Sequence, residues 1–397
     1  MLEGKNVILG VTGSIAAYKI ASLASMLKKM HCNVDVIMTK NAANFINPIT
    51  FESLTGNKCI VDTFDRNFQF NVEHVSLAKK ADLIMVAPAS ANFIGKAANG
   101  IADDMLTTTF MACRCKKIAA PAMNTNMYVN PIVQDNIKKL ESYGVEIIPP
   151  ETGYLACGDT GAGKMPEPEV LCNYIFREIA CKKDMEGLKV CVTAGPTREA
   201  IDPVRFISNH STGKMGYAVA RNAMLRGAEV TLIAGQTSLA DVPFVNMVRV
   251  VSAKDMYDAV MEHAKDADIV VKAAAVADYR PAEVSDEKIK KKDDNMSIKL
   301  ERTQDIIGEL GKNKKKGQFL CGFSMETQNV LENSKEKLKK KNLDMIAAND
   351  LRARGAGFGT DTNLVTLITP SEVRSLEIMS KDEVAAGIFD YILELRG

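Results

Sequence analysis

The sequence has no C-x-x-C pair, although it contains nine cysteines in 397 residues. These cysteines are scattered and odd in number, whereas disulfide frameworks and zinc sites use paired, regularly spaced thiols. We therefore expect reduced thiols in a cytoplasmic protein. The closest two, in the segment Cys113-Arg114-Cys115, are interpreted as buried or incidental.

The sequence also lacks long apolar runs and a bias toward one sign of charge. Its apolar runs are too short for a membrane-spanning helix, and the net charge is only +1. We therefore expect neither a membrane nor a nucleic acid as a partner. The opening MLEGKN leads directly into the strand-like VILGV, which is not typical of a signal peptide.

The segment Gly158–Lys164 has the glycines and the lysine of a phosphate-binding P-loop but not its other parts. Met165 follows the lysine, where a P-loop needs a hydroxyl to hold magnesium. Pro166 and Pro168 disfavour an immediate helix, because the residue before a proline avoids the α conformation. We interpret this segment as a glycine-rich flap that carries one thiol, Cys157.

Two series of alternating strands and helices cover the chain, as is typical of doubly wound parallel sheets. The polar stretch 181–187 separates them, and the predicted domains are residues 1–183 and 184–397. In the first series we predict strands at 7–11, 34–38, 82–88, 117–121 and 145–149, and helices at 15–30, 91–112 and 130–143. In the second we predict strands at 189–195, 229–235, 268–276, 344–350 and 364–369, and a helix from about Tyr217.

Small polar residues follow three strands of the first series. Between the first strand and the first helix, Gly10-Val-Thr-Gly13 allows backbone N–H groups to approach a phosphate at the helix N-terminus. The spacing is G-x-x-G, so it favours a mononucleotide such as FMN over a dinucleotide, and a plain tight turn explains it equally well. PASAN at 88–92 and PAMN at 121–124 end two further strands, at the edge where ligands bind such sheets.

The motifs taken together resemble two enzyme families. VTGSIAAYK, APASAN, PAMNTNMY and ACGDTGAGKM are similar to the flavin-containing cysteine decarboxylases, especially those that act on phosphopantothenoylcysteine. TAGPTREAIDPVRFISNHSTGKMG, AAAVADYRP and EKIKK resemble the phosphopantothenate–cysteine ligases. Bacterial enzymes of coenzyme A biosynthesis fuse the two in this order, and the likeness covers essentially the whole chain. It implies a flavodoxin-like first domain and a Rossmann-like α/β second domain.

The first resemblance implies an FMN-dependent decarboxylase. His74 would assist substrate oxidation, Asn124 would hold the substrate carboxylate, and Cys157 would donate a proton from a lid over the substrate. Asp103 departs from the family, in which many relatives carry asparagine. The implied FMN contacts are Gly13, Ser14, Thr39, Ser90 and Asn92.

The second resemblance implies that CTP activates the carboxylate of 4'-phosphopantothenate as an acyl-cytidylate, which the cysteine amine then attacks. Asn209 and Lys288 would serve that intermediate, and Mg²⁺ would accompany the triphosphate, although the sequence does not identify its ligands. Ser211–Gly216 precedes a helix and forms a second phosphate-ready N-terminus. Thr303-Gln304 departs from the family pattern. The implied CTP contacts are Ala274, Asp278, Lys288, Gln304, Asp305, Ile306, Ile307, Phe323, Lys337 and Lys341.

Two alternatives stay open. One is a flavoprotein of the same fold with another decarboxylase chemistry, whose resemblance stops near residue 180. The other is a flavin-binding regulator, which would need none of His74, Asn124 and Cys157. Because the family builds its flavin site across a trimer interface, the resemblance implies a homo-oligomer with trimers of the first domain and dimers of the second.

Overall fold

The computed structural model describes residues 2–63, 73–154, 158, 160–290, 296–326, 330–350 and 359–397. The chain divides into two compact units, residues 1–181 and 182–397. Among the described residues, no helix has the length and apolar content that a membrane crossing requires.

A five-stranded parallel sheet forms the centre of the first unit, in the order β2-β1-β3-β4-β5. This is the strand order of flavodoxin-like folds, and the predicted fold class is confirmed. The strands are β1 (Asn6–Val11), β2 (Asn33–Met38), β3 (Leu83–Ala89), β4 (Lys116–Pro121), β5 (Glu146–Ile147), β6 (Glu151–Tyr154) and β7 (Thr160–Lys164). The helices are α1 (Ala17–Lys29), α2 (Pro48–Thr55), α3 (Glu73–Lys80), α4 (Ala91–Ala98), α5 (Met105–Ala112), α6 (Thr125–Tyr128), α7 (Pro131–Ser142) and α8 (Pro168–Ile179), with a 3-10 turn at Ala42–Asn44.

Both faces of this sheet are covered because successive strand residues point to opposite sides. Val7 and Leu9 pack against α1, α2 and α8, whereas Ile8 packs against α3, α4, α5 and α7. The strands are therefore continuous apolar runs, and this is why the sequence located them.

The helix predicted over 91–112 is wrong, because the structure has two helices there. Gly100 lies in the left-handed region with φ of 71°. Asp104 then starts α5 with a capping box, in which its Oδ1 accepts a hydrogen bond from the Thr107 N–H at 2.8 Å. The strand predicted over 145–149 shortens to Glu146–Ile147.

The glycine-rich flap is an antiparallel hairpin of β6 and β7. Thr160–Lys164 is a strand, and the next helix begins only at Pro168. A P-loop requires a helix directly after its lysine, and this hairpin agrees with its exclusion.

An eight-stranded sheet forms the second unit, in the order β12-β11-β8-β13-β16-β17-β19-β20. The first six of these strands are parallel, β19 pairs antiparallel with β17, and β20 pairs antiparallel with β19. The strands are β8 (Lys189–Ala194), β9 (Arg198–Ala200), β10 (Phe206–Ser208), β11 (Glu229–Ala234), β12 (Asn246–Arg249), β13 (Ile269–Lys272), β14 (Tyr279–Pro281), β15 (Leu300–Arg302), β16 (Phe319–Glu326), β17 (Met345–Asp350), β18 (Thr362–Asn363), β19 (Val365–Ile368), β20 (Val373–Ser375) and β21 (Met379–Ser380). The helices are α9 (Lys214–Leu225), α10 (Ala253–His263), α11 (Ile306–Lys312), α12 (Val330–Lys340) and α13 (Lys381–Arg396), with a 3-10 turn at Ala264–Asp266.

Three predictions for this unit need correction. The helix expected from Tyr217 begins at Lys214, after Gly213 with φ of 81°. The strand expected over 268–276 ends at Lys272, and the alanines that follow form a loop. The strand β16 was not predicted, because it contains Gly322 and ends in polar residues.

The polar stretch predicted as a linker packs on the second unit from Lys182 onward. Met185 is fully buried, and its N–H donates to the Arg226 carbonyl at 3.0 Å. Asp184 forms an ion pair with Arg226 at 2.7 Å. The Lys183 ammonium donates to the Leu225 carbonyl at 2.6 Å.

Candidate active sites

A cavity of about 540 Å³ lies at the carboxyl ends of β1, β2 and β3, and we call it the strand-end cavity. Four of the five predicted FMN contacts line it, namely Gly13, Thr39, Ser90 and Asn92. Lys40, Lys96, Asp103 and Asp104 line it as well.

A threonine hydroxyl joins the two strand ends beneath this cavity. The buried Thr12 Oγ1 donates to the Pro88 carbonyl at 2.6 Å and accepts from the Ser90 N–H at 3.0 Å. Ser90 in turn caps α4, with its Oγ accepting from the Phe93 N–H at 3.4 Å. The N-terminus of α4 therefore faces the cavity, which suits an anionic group.

Gly13 packs closely against the turn that follows β2. A Cβ added at Gly13 would lie 2.8 Å from the Asn41 Cβ, closer than side-chain atoms pack. A larger residue at position 13 would therefore displace Asn41, which also lines the strand-end cavity.

Asp103 forms an ion pair at the rim of the strand-end cavity. Its carboxylate accepts from the Lys96 ammonium at 2.8 and 3.0 Å, and Asp104 lies 3.7 Å from the same ammonium. The hydrogen bond from Lys96 lowers the pKa of Asp103, and the bond to Asp103 raises the pKa of Lys96. The aspartate that stands at position 103, where many relatives carry asparagine, is therefore paired with the Lys96 ammonium.

A second cavity of about 490 Å³, which we call the flap cavity, is lined by Ser14 and Asn124. Asn124 caps the short helix α6, and its Oδ1 accepts from the Asn126 N–H at 2.8 Å. This bond fixes which way the amide points. Tyr154 and Lys164 of the hairpin also line the flap cavity.

The hairpin glycines allow the flap to lie directly on the loop that carries Asn124. The Met123 N–H donates to the Gly163 carbonyl at 3.1 Å. Gly163 has φ of 132°, and a Cβ there would collide with the Met123 carbonyl oxygen. A Cβ at Gly161 would lie 2.5 Å from the Thr125 Oγ1. The glycines that suggested a P-loop are thus required for close backbone packing.

The structure does not bring His74 into either cavity. His74 is half-buried near the start of α3, and it is not among the residues that line the strand-end or the flap cavity. Cys157 lies outside the described residues.

In the second unit, a cavity of about 390 Å³ lies between β16 and helices α11 and α12, and we call it the α12 cavity. Most of the predicted CTP contacts line it, namely Asp278, Gln304, Asp305, Ile306, Ile307, Phe323, Lys337 and Lys341. A neighbouring cavity of about 380 Å³, the α9 cavity, is lined by Asn209, Ser211–Gly216 and Ala274. Lys272, Val276, Asp278, Phe323 and Lys337 line both.

Three threonine hydroxyls hold the 274–278 loop between these cavities. Thr193 Oγ1 accepts from the Ala274 N–H at 3.1 Å, and Thr197 Oγ1 accepts from the Ala277 N–H at 3.0 Å. Thr303 Oγ1 donates to the Ala277 carbonyl at 2.6 Å. Thr303, one of the family departures, therefore anchors the loop that presents Asp278.

Asp305 is engaged within the α12 cavity. It caps α11 by accepting from the Gly308 N–H at 3.1 Å, and it accepts from the Lys341 ammonium at 3.0 Å. Burial alone would raise its pKa, but the bonds from Lys341 and Gly308 hold the pKa of Asp305 below its usual value. Asp305 is thus a charged carboxylate that orients Lys341.

Asn209 is tied to the same loop, since its Nδ2 donates to the Ala275 carbonyl at 2.9 Å. At the N-terminus of α9, the Lys214 ammonium pairs with Asp361 at 2.6 Å.

Lys288 is exposed and lines neither cavity of the second unit. Its neighbour Ile289 is held by a buried carboxylate. The Ile289 N–H donates to Asp202 Oδ2 at 3.1 Å, and Arg205 donates to the Ile289 carbonyl at 2.8 Å. The Arg205 guanidinium lowers the pKa of Asp202 well below its usual range.

The sequence reasoning missed Lys272 and Thr12. Lys272 lies inside the apolar run that predicts a strand over 268–276, and it is the only charged residue between Ile269 and Ala277. Thr12 lies inside the Gly10–Gly13 turn, where the glycines are the stronger signal. No group of three acidic, histidine or cysteine side chains arranged for a metal occurs among the described residues.

Comparisons with known proteins match a different family to each of the two units. Residues 1–180 match the family described as Flavoprotein, and residues 185–395 match the DNA/pantothenate metabolism flavoprotein C-terminal domain. The chain is 49% identical over 400 residues to the Coenzyme A biosynthesis bifunctional protein CoaBC of Bacillus subtilis (strain 168), covering 100% of this chain and 98% of that protein.

Two further similarities concern a relative and a solved structure. A protein named Cysteine/Cysteine sulfinic acid decarboxylase, from an unknown prokaryotic organism, is 45% identical over 356 residues, covering 88% of this chain and 99% of that protein. The crystal structure of the C-terminal domain of a CoaBC protein is 48% identical with a TM-score of 0.46, covering 53% of this chain and 98% of that chain. Because the Bacillus subtilis protein matches this chain over its whole length, this chain belongs to the family of bifunctional coenzyme A biosynthesis proteins.

Proposed function

We propose that the chain carries out two consecutive reactions. The second unit ligates 4'-phosphopantothenate with cysteine and consumes CTP. The first unit then decarboxylates the resulting 4'-phosphopantothenoylcysteine to 4'-phosphopantetheine with FMN. The ligation product is the decarboxylation substrate, so the order of the reactions follows from their chemistry.

One observation carries the ligase half of this proposal. The α12 cavity is lined by groups that suit a nucleoside triphosphate, namely Phe323, Asp278, Lys337 and Lys341, and it shares residues with the α9 cavity that contains Asn209. The base and the phosphates would then lie in the α12 cavity, and the activated carbonyl would lie in the neighbouring α9 cavity.

The ligation has two steps at these cavities. The carboxylate oxygen of phosphopantothenate attacks the α-phosphorus of CTP, and pyrophosphate leaves. The cysteine amine next attacks the acyl carbon, loses its proton, and CMP leaves. Asn209 would orient the acyl group for this attack, and Lys288 would act on the cytidylate once its loop approaches the substrate.

Mg²⁺ suits this site through the phosphate chain itself. Magnesium in nucleotide sites keeps several waters and takes few protein carboxylates. Asp278, which lines both cavities of the second unit, would supply one. A three-residue cluster is therefore not required.

The strand-end cavity fits FMN. The absence of a Cβ at Gly13 leaves room beside Asn41, and the N-terminus of α4 offers N–H groups to a phosphate. Thr39, Ser90 and Asn92 line the same space, and Ser14 lines the adjoining flap cavity. FMN held there would supply the two-electron redox chemistry that the decarboxylation of the substrate cysteine requires.

The residues of the chain would place the substrate and move protons. Asn124 would bind the substrate carboxylate with its amide, from the loop on which the hairpin lies. His74 would assist removal of a proton during oxidation, and Cys157 would donate one to the ene-thiolate.

We propose an assembly of trimers of the first unit and dimers of the second. Its support is the position of His74, which lies outside both cavities of its own chain. We also propose a cytoplasmic location, which the lack of a disulfide among the described cysteines supports.

The direct test is incubation of the purified protein with 4'-phosphopantothenate, cysteine, CTP and Mg²⁺, followed by mass analysis. The proposal predicts pyrophosphate, CMP, CO₂ and 4'-phosphopantetheine. CDP and phosphate would indicate an acyl-phosphate route instead. Release of CO₂ from cysteine alone, without CTP, would favour the activity in the name of the 45% identical relative.

A further inference from the structure

Lys272 occupies a central position in the ligase unit. It is the last residue of β13, and it pairs in register with Thr193 of β8 and Gly322 of β16. Its side chain lines both the α12 and the α9 cavity.

The ammonium of Lys272 has no ion-pair partner among the described residues. Within the described part of the chain, no hydrogen bond or ion pair involves its Nζ, whereas Lys341 is paired with Asp305 at 2.9 Å. A half-buried ammonium without an anion beside it is costly, so it implies that an anion arrives.

Positive charge prevails around Lys272. The charged and titratable side chains that line the two cavities with it are Asp278, Tyr279, Arg302, Asp305, Lys337, Lys341, Lys214 and Lys381. Burial, with the charges of Lys337 and Lys341, lowers the pKa of Lys272 to about 8. The positive charges of these lysines repel one another, and an anionic ligand bound between them would reduce that repulsion.

We propose that Lys272 binds the phosphate chain of the nucleotide where the α12 and α9 cavities meet, and that this contact makes nucleotide affinity depend on pH. The inference rests on the proposed ligase function. It adds a phosphate ligand at the junction between the nucleotide and the acyl group. The phosphate of 4'-phosphopantothenate has the same chemistry, so the two ligands are measured separately.

The sign of the pH dependence follows from charge. An anion beside Lys272 raises the pKa of its ammonium above the value in the free protein, so binding takes up a proton. Affinity is therefore full below pH 8 and decreases as the pH rises above it. Between pH 7 and pH 9, CTP should bind about tenfold more weakly, because the free lysine must first be protonated.

The test is calorimetric titration of the full chain with CTP, cytidine or 4'-phosphopantothenate at pH 7 and pH 9, at constant ionic strength. Lys272→Met should weaken CTP binding at pH 7 on the order of tenfold to a hundredfold, the usual effect of one charge-assisted bond. It should leave cytidine and 4'-phosphopantothenate binding unchanged. Lys272→Arg should keep the affinity and abolish the pH dependence. Lys312→Met, at an exposed lysine outside both cavities, is the matched control and should change nothing.

Each other outcome has a defined meaning. Wild-type CTP affinity in Lys272→Met, with the same decrease by pH 9, would overturn the inference. Equal loss in the Met and Arg variants would assign Lys272 a structural role and overturn it too. A selective loss of 4'-phosphopantothenate binding would show that Lys272 binds the phosphate of that substrate and not the phosphate chain of the nucleotide, which would also overturn the inference. Failure of the wild-type protein to bind CTP at all would refute the proposed ligase function instead.

Discussion

The two units share a threonine hydroxyl that bonds the backbone at the end of a neighbouring strand, but they differ in which candidate residues reach that end of the sheet. In the first unit the Thr12 hydroxyl accepts from the N–H of Ser90, after the neighbouring strand β3. In the second the Thr193 hydroxyl accepts from the N–H of Ala274, after the neighbouring strand β13. Each hydroxyl accepts a hydrogen bond from a backbone N–H just beyond the end of a strand, where no neighbouring strand offers a carbonyl.

The difference lies in what then reaches that edge. In the second unit Asn209, Asp278, Phe323 and five lysines line adjoining cavities of one chain. In the first unit Asn124 reaches a cavity but His74 does not. The candidate residues of the second unit therefore line cavities of one chain, whereas those of the first unit do not all do so, which is the basis of the proposed trimer.

Replacement of His74 gives the largest expected effect. His74→Asn should slow flavin bleaching by 4'-phosphopantothenoylcysteine by about a hundredfold or more, because a general base of this kind contributes that much. Stopped-flow absorbance measures it, and His263→Asn in the other unit is the control. Bleaching at the wild-type rate would remove His74 from the reaction and remove the contrast between the two sites.

Asn209→Asp should act almost as strongly on the other half. It exchanges the donor to the Ala275 carbonyl for a negative charge, and the loss of a preorganised donor slows a reaction about a hundredfold. The variant should still release pyrophosphate and should accumulate the acyl-cytidylate, which mass analysis of quenched samples detects. Asn246→Asp is the control. Normal turnover to the cysteine amide would contradict the assigned role.

Gly163→Ala should weaken the flap of the first unit. The added Cβ would collide with the Met123 carbonyl at a φ of 132°, and a backbone clash of this kind costs about 2–4 kcal/mol. Decarboxylation and the thermal midpoint of the first unit should decrease, while ligation stays unchanged. Gly153→Ala, where a Cβ has 3.6 Å to its nearest neighbour, should be tolerated. Equal effects of the two substitutions would show that the close packing does not matter.

The matched pair Thr12→Val and Thr193→Val should give the smallest effect. Each leaves one buried N–H without its acceptor, at a cost of about 1–3 kcal/mol. Thr12→Val should lower FMN affinity alone, and Thr193→Val should lower CTP affinity alone, as titrations of each ligand would show. If either variant weakens both ligands, the two units are coupled.

The sequence predicted most strands of both sheets, because each is a buried apolar run. It failed where short-range chemistry interrupts the pattern. The Asp104–Thr107 capping box divides a helix that periodicity joins, and Gly322 conceals a strand. Capping hydrogen bonds and glycines, not apolar periodicity, decide such boundaries.

The candidate residues were predicted by resemblance, whereas their grouping required the fold. Sequence does not show which side chains face a cavity, so it predicted neither the position of His74 outside both cavities of its unit nor that of Lys272 where two cavities meet. The hydroxyls of Thr193, Thr197 and Thr303 act across more than 20 positions of the chain, and no local pattern announces them.

The most direct measurement assays both half-reactions separately in full-length His74→Asn and Asn209→Asp. Ligation is followed as CMP release, and decarboxylation as CO₂ from supplied 4'-phosphopantothenoylcysteine. Two independent sites predict that His74→Asn ligates at the wild-type rate and does not decarboxylate, and that Asn209→Asp does the reverse. Loss of both half-reactions in either variant would contradict the account.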